Sequence, residues 1–510
     1  MMMRISVLRN CFVSFLAAVA CFACVWAAGA PVKWPKLPTP PAPPKAPEPP
    51  KPYFPPSRPL TPIEMEQAER AKKAALEGLK TNLVVPEKAP EQDSLEKLIE
   101  KLLNEFGPDG RYGITSHFIV IYDTTDSYAM WCATLMENVT STYEKFVSST
   151  KLVEDGLADP MVVFIFADEN DYRAYLQKNS SQEFQKASPD VVGFYSSGSN
   201  RAVFFDPTGK EQNKPNKGDE RTIEQVATEV LADPRGAENI STVVHEGTHQ
   251  VSYNYGLFSR KGENPKWAIE GLAMLFEAPG GEPKDGGWKI VDEKAKTIKF
   301  PINERRVREF QQYVATSTDA QPIKKVVGME VIGSEEPCSY PVSWALFYYL
   351  YRYYPKVLAQ YLIDNAAVQP RLTFPSRQRV YEFANYFGED WDGMWMELRA
   401  FVDALELELK GVDPLEADKR ARAKYNLAER VVGKRNARKG AVEKKTGAEA
   451  QKKAADANDA EPKTESLPFE SEKTTEAAKS AGKPGAGAEE SAKKKSETSD
   501  DWFKNWSKEQ

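Results

Sequence analysis

Only three histidines occur in the 510 residues, and two of them, His245 and His249, stand four apart with Glu246 between them. On an α-helix that spacing puts both imidazoles on one face, one turn apart, so they can converge on a single ion. The stretch His245-Glu-Gly-Thr-His249 is an H-E-x-x-H pattern, in which the glutamate stands beside a water on that ion. Composition alone would produce it on the order of once in a thousand such chains. The plainer alternative is a pair of helix histidines capping a polar face. A chain built around this pattern must supply a helix here, and the flanking residues do so. Asn239 and Ser241 are the candidate N-caps, Val243, Val244, Val251 and Tyr255 form an apolar stripe, and Gly256 is placed to end the helix in the left-handed conformation.

A catalytic metal site keeps one position for water and needs a third protein donor. About twenty residues after His249 the chain reads Pro265-Lys-Trp-Ala-Ile-Glu270-Gly-Leu-Ala-Met-Leu-Phe-Glu277. Pro265 suits the first turn of a second helix, and Trp267, Leu272, Leu275 and Phe276 can bury it. Glu270 is therefore the candidate third ligand. Glu277, two turns further on, is the alternative ligand, or else the acceptor that holds one imidazole N–H.

H-E-x-x-H followed by W-x-x-E-G-x-A resembles the gluzincins, the thermolysin-like and aminopeptidase-like zinc peptidases of the peptidase MA superfamily. It is most similar to peptidase MA-like domains of exported bacterial proteins, and the resemblance runs from about Thr115 to Leu407. It implies a zincin-like α+β fold: a small mixed β-sheet over the H-E-x-x-H helix, then a mainly helical C-terminal subdomain. It also implies Zn2+ held by His245, His249 and Glu270, with Glu246 as general base. Thermolysin-like members carry an acidic residue one turn after the glutamate ligand, where this chain has Met274, so the surroundings of the ligands should differ from theirs; Ala273 is in keeping with the aminopeptidase-like branch. Tyr340, ahead of Pro341 at the start of a later helix, matches a tyrosine that related domains carry near the metal.

The rest of the chain divides around this block. Residues 1–30 carry Arg4 and Arg9 and then an apolar run from Cys11 to Ala28, the form of a signal peptide. A retained anchor is one alternative, and a degraded lipoprotein site at Ala18-Val-Ala-Cys21 is another. Residues 31–62 are a Pro-rich, extended linker suited to an envelope or membrane tether. Two helices are expected within 63–110, at about 62–81 and at 93–106, the second capped by Asp93 with Glu96. The zincin domain is assigned to 111–410, opening as strand, helix, strand, helix, hairpin. Strands are expected at 116–123 and 161–166, helices at 126–149 and 169–178, and hairpin arms at Val191–Tyr195 and Ala202–Phe205 around a Ser-Ser-Gly-Ser-Asn turn. In the resembled family an edge strand pairs with the substrate backbone, and this hairpin is the candidate edge. Trp288–Phe300 suggests a short β excursion, after which the chain turns helical to about Leu409. Trp344, Phe347, Tyr348 and Tyr351 there form an aromatic stripe expected to be core. A helical extension follows at 411–431, and 432–510 is too poor in apolar residues to fold. Trp502, Phe503 and Trp506 interrupt that tail as a candidate docking motif.

Outside the export signal only Cys132 and Cys338 remain, either disulfide-bonded or two buried thiols. His117, entering a buried strand, is taken as structural. Asn138, Asn179 and Asn239 head glycosylation patterns of little weight in a chain of bacterial type. The net charge of −6, with no basic patch interleaved with aromatics, excludes nucleic acid as the main partner. The expected function is that of an exported, periplasmic or extracellular, zinc-dependent metallopeptidase acting on a peptide or protein substrate, with Tyr340 donating to the oxyanion. The alternative is a cell-envelope binding or scaffold protein whose zincin domain no longer turns over.

Overall fold

The structure, a computed structural model, describes residues 51–54, 61–83, 92–150, 157, 159–179, 192–208, 221–233, 236–260, 262–278, 280–290, 298–330, 332, 336–367 and 374–429. The expected signal at 1–30, most of the Pro-rich linker, Val191, and the tail with Trp502, Phe503 and Trp506 lie outside the described residues. Among the described residues no helix is long and apolar enough to cross a membrane.

The architecture is α+β, mostly helical, with one mixed five-stranded sheet. The strands are β1 (Arg111–Ile114), β2 (Phe118–Tyr122), β3 (Met161–Phe166), β4 (Gly193–Ser196) and β5 (Arg201–Phe205), in the order β1-β2-β3-β5-β4. The inner strands β2, β3 and β5 run parallel, and β1 and β4 close the two sides antiparallel. Parallel neighbours need crossovers, and helices supply them: α3 (Asp126–Thr150) between β2 and β3, and α4 (Glu169–Asn179) after β3. Every residue of β2 and β3 is buried, which explains why both read as unbroken apolar runs without alternation. Their odd and even positions serve different cores. Ile119, Ile121, Val162 and Phe164 join α1 (Pro62–Thr81), α2 (Gln92–Phe106) and α4 on one face. Phe118, Val120, Val163 and Ile165 join α3 and the helices that follow on the other.

Strand β1 was not expected, and its outer side is occupied. Tyr53 and Ile114 exchange both backbone hydrogen bonds, at 2.8 and 2.7 Å, and the Phe54 ring lies directly over Gly113. The helix α1 begins with a capping box between Thr61 and Glu64; the Asp93 side chain expected to cap α2 lies outside the described residues. A further helix unforeseen in the sequence, α5 (Ile223–Ala232), intervenes between the hairpin and the helix that carries His245 and His249.

The two motif helices are α6 (Gly236–Asn254) and α7 (Lys266–Phe276). Helix α6 starts earlier than Asn239 or Ser241. Asn239 is buried inside it and spends its amide on the Tyr128 hydroxyl at 3.1 Å instead of capping. Its other end is as expected: Gly256 is left-handed at φ +77°, and Leu257 N–H reaches back to the Ser252 carbonyl at 3.0 Å. Pro265 opens α7 as expected. Residues 288–290 and 298–300 form no strand beyond a single bridge from Trp288 to Gly280, and 291–297 lie outside the described residues.

The remainder is helical: α8 (Glu304–Thr316), α9 (Pro322–Gly328), α10 (Ser339–Tyr353), α11 (Pro355–Ala366), α12 (Ser376–Phe387), α13 (Trp391–Leu409) and α14 (Pro414–Lys424). Trp344, Phe347 and Tyr348 of α10 are core, and Tyr351 packs against it half-buried. Helix α7 crosses α10 at Gly271, where an added Cβ would fall 2.6 Å from Phe347 Cβ and 2.7 Å from the Ser343 carbonyl oxygen. Cys132 and Cys338 are both free and buried, so the disulfide alternative fails.

Candidate metal centre

Helix α6 is fixed to the sheet before any site residue is considered. Gln250 is fully buried and donates to the Val162 carbonyl of β3 at 2.9 Å. At the helix end, Asn254 and Asn200 exchange side-chain amide hydrogen bonds of 2.8 and 2.9 Å, tying α6 to the β4–β5 turn. Asn200 sits at φ +58°, a left-handed position that asparagine tolerates better than most residues.

With α6 so held, His245 and His249 point to one spot. Their Nε2 atoms are 3.0 Å apart, and Glu270 of α7 brings Oε2 to 3.3 Å from His245 Nε2 and Oε1 to 3.5 Å from His249 Nε2. These are the three residues among those described whose donor atoms could hold one metal ion. The donor set is two imidazoles and a carboxylate. Donors at about 2.0–2.1 Å from a tetrahedral ion lie about 3.3 Å from one another, so the observed separations fit such an ion.

Glu277, at the C-terminal end of α7, takes the other side of His245. Its Oε1 lies 2.5 Å from Nδ1, and as an ionised carboxylate it can only accept, so Nδ1 donates and Nε2 is left to face the donor cluster. Glu277 is 6% exposed. Burial alone would raise its pKa, but Arg306, His245 and Arg305 hold it well below the usual carboxylate range. Arg306, on the first turn of α8, donates to it from Nη2 at 2.6 Å and from Nε at 3.1 Å, and uses Nη1 on Glu309 at 2.7 Å. The two histidines are thus treated unequally. Burial opposes protonation of His245, yet the hydrogen bonds it donates to Glu270 and Glu277 outweigh it and lift its pKa to about 10. For His249 the balance falls the other way: its buried Nδ1 finds no partner among the described residues, and burial outweighs the pull of Glu270 and lowers its pKa to about 4.

Glu246, beside the donor trio but not part of it, accepts the Tyr195 backbone N–H of β4 at 2.7 Å. Burial raises its pKa to about 7, with His245 pulling down and Glu270 pushing up. A carboxylate in that range can take and return a proton near neutrality. Tyr340, on the first turn of α10, is half-buried. Burial first, then the charges of Glu270 and Glu246, push its hydroxyl above the ordinary tyrosine range, so it remains a proton-bearing donor.

The residues foreseen for the metal are therefore brought together, and Glu277 falls on Nδ1 of His245, the nitrogen outside the cluster. His117 lies apart, with Nδ1 2.6 Å from Glu137 Oε2, a satisfied structural histidine. Asn138 spends its amide on the Asp285 and Trp288 carbonyls at 2.9 and 3.0 Å. Sequence reasoning missed Arg306 and Tyr195, which carry no motif.

A family model described as "Protein of unknown function (DUF1570)" matches residues 239–371, a span containing His245, Glu246, His249, Glu270, Glu277, Arg306 and Tyr340. No curated protein matches the chain, and no solved structure does.

Proposed function

We propose that this chain is an exported zinc metallopeptidase of the gluzincin type, hydrolysing peptide bonds of a peptide or protein substrate. The observation that carries the reading is the approach of His245, His249 and Glu270 donor atoms to 3.0–3.5 Å, with Glu246 next to them but outside the trio. A scaffold has no use for a base held there at a pKa near 7. The export part of the proposal rests on Arg4, Arg9 and the apolar run that follows.

His245, His249 and Glu270 would hold the ion, which when bound lowers the pKa of a water to about 7 and polarises a carbonyl. Glu246 removes a proton from the attacking water and passes it to the departing amine; the water's oxygen goes to the carbonyl carbon and the C–N bond breaks. The Tyr195 N–H keeps the Glu246 carboxylate aimed. Tyr340 donates to the carbonyl oxygen as negative charge grows there. Strand β4, the sheet side next to α6, offers an extended substrate a backbone to pair with.

The test is metal analysis of the purified chain together with a peptide-library digest with and without chelator. Glu246→Gln is expected to keep the fold and one zinc per chain while losing about 10²–10⁴-fold in rate. His245→Ala should lose metal and activity together. A Glu246→Gln protein cleaving as fast as the parent would refute the mechanism.

A further inference from the structure

At the β4–β5 turn, beside the strand whose Tyr195 N–H meets Glu246, a pocket of about 490 Å³ opens. Ser197 and Gly198 of the turn, Tyr253 and Phe258 at the end of α6, and Arg260 just beyond it form its walls, with Ala366 of α11 opposite. Two connections join it to the candidate metal centre. Tyr253 lies one helical turn after His249, on the same face of α6. Its ring is 5.6 Å from that of Tyr195, whose backbone N–H is on Glu246. The walls are firmly built: the Asn200–Asn254 pair fixes the turn, Tyr195 O–H donates to Asn200 Oδ1 at 2.9 Å, and Arg260 Nε donates to the Ser197 carbonyl at 2.9 Å.

The chemistry of this pocket differs from that of the centre beside it. Glu246, Glu270 and Glu277 make the centre rich in carboxylates, while the pocket carries one cation and aromatic rings. Arg260 is exposed and forms no ion pair among the described residues; with Nε engaged, its two Nη groups remain as a planar pair of donors suited to a carboxylate. From Tyr195 to Ser197 is about 7 Å along a strand, or two substrate residues in extended form.

We infer that this pocket is a specificity subsite that takes a carboxylate of the substrate, held by Arg260 over the rings of Tyr253 and Phe258, about two residues from the bond that faces Glu246. The inference rests on the peptidase reading of the centre. The carboxylate has two sources, an Asp or Glu side chain and the free C-terminus of a short peptide, and the test separates them.

Binding is measured by fluorescence anisotropy on the zinc-loaded full chain carrying Glu246→Gln, so that turnover plays no part. Four labelled peptides share one core: acidic with an amidated C-terminus, neutral with a free C-terminus, neutral amidated, and lysine-bearing amidated. One of the first two is expected to bind about five- to tenfold tighter than the neutral amidated peptide, and the winner identifies the source. Adding Arg260→Glu should move the preference to the lysine peptide, and Arg260→Lys should keep part of the parent ranking, with zinc content reporting that each variant is folded. Equal binding of all four peptides, or a ranking unmoved by Arg260→Glu, overturns the subsite. If the parent cleaves nothing but the ranking follows Arg260, the peptidase reading fails and the subsite stands.

Discussion

Arg306 has more influence on the candidate metal centre than its distance from the ligands implies. It is the main partner that keeps Glu277 ionised in a buried position, and Glu277 in turn fixes which nitrogen of His245 faces the cluster. Removing one member of a buried pair leaves an uncompensated charge, typically at a cost of about 3–5 kcal/mol. Arg306→Met is therefore expected to destabilise the fold in a urea titration and to weaken zinc binding by about 10–100-fold in a chelator competition, although it touches no ligand. A variant with parental zinc affinity would show that His245 orients itself. At His117 the consequence is one of pH. Burial works against its protonated form, but Glu137 and then Glu144 raise its pKa above the ordinary value of 6.5. The folded state then holds the proton more tightly than the unfolded chain, so this contribution to stability is complete below about pH 6.5 and is lost as pH rises through the raised value. Glu137→Gln keeps an acceptor for Thr115 and for the His117 N–H but removes the charge. Its stability deficit should be largest at pH 5.5 and shrink towards pH 9; a deficit independent of pH would contradict the pairing.

The elements that hold the centre meet at unusually close backbone approaches. At Gly271 helix α7 lies against α10 with no room for a side chain, and one of the atoms in the way is a backbone carbonyl that cannot rotate aside. Gly271→Ala should cost about 1–3 kcal/mol by thermal or chemical denaturation, despite alanine's better helix propensity. An unchanged midpoint would mean that α7 and α10 can separate freely. Much at this scale was legible beforehand. The runs Phe118–Tyr122 and Met161–Phe166, the hairpin around Ser197–Asn200, and the helix carrying His245 and His249 all follow from local pattern and turn chemistry. The start of α6 did not, because Asn239 has the side chain of a cap and a buried tyrosine hydroxyl claims it. Nor did β1, since Arg-Tyr-Gly-Ile is too short and too polar at its outset to announce a strand without Tyr53 beside it. The pairing of His245 with His249 was legible because helical spacing carries it, and Glu270 stood out in the stretch Trp267–Ala273 of the next helix; Arg306 and Tyr195 reach the same candidate centre through tertiary contacts that no spacing encodes.

Across the whole molecule the sheet has two unlike sides. Beyond β1, Tyr53 supplies two backbone hydrogen bonds and Phe54 covers Gly113, whereas β4 lies next to α6 and the candidate centre. Deleting residues 1–60 would bare the β1 side and the Tyr122 ring that Phe54 lies against at 5.8 Å. An uncovered strand edge is a template for pairing with another chain. The truncated protein is expected to unfold at lower temperature and to self-associate with concentration in sedimentation, with the same zinc content as the parent. A monodisperse truncation with parental melting would show that Tyr53 and Phe54 merely decorate the edge. The same pairing also sets the path of mechanical load. Tension applied to the chain ahead of Tyr53 is met first by its two bonds to Ile114, four strand spacings or about 19 Å across the sheet from β4. A pull on the N-terminus would peel that remote border before any strain reached Glu246, so the domain can be tugged at one margin while the opposite margin stays in register.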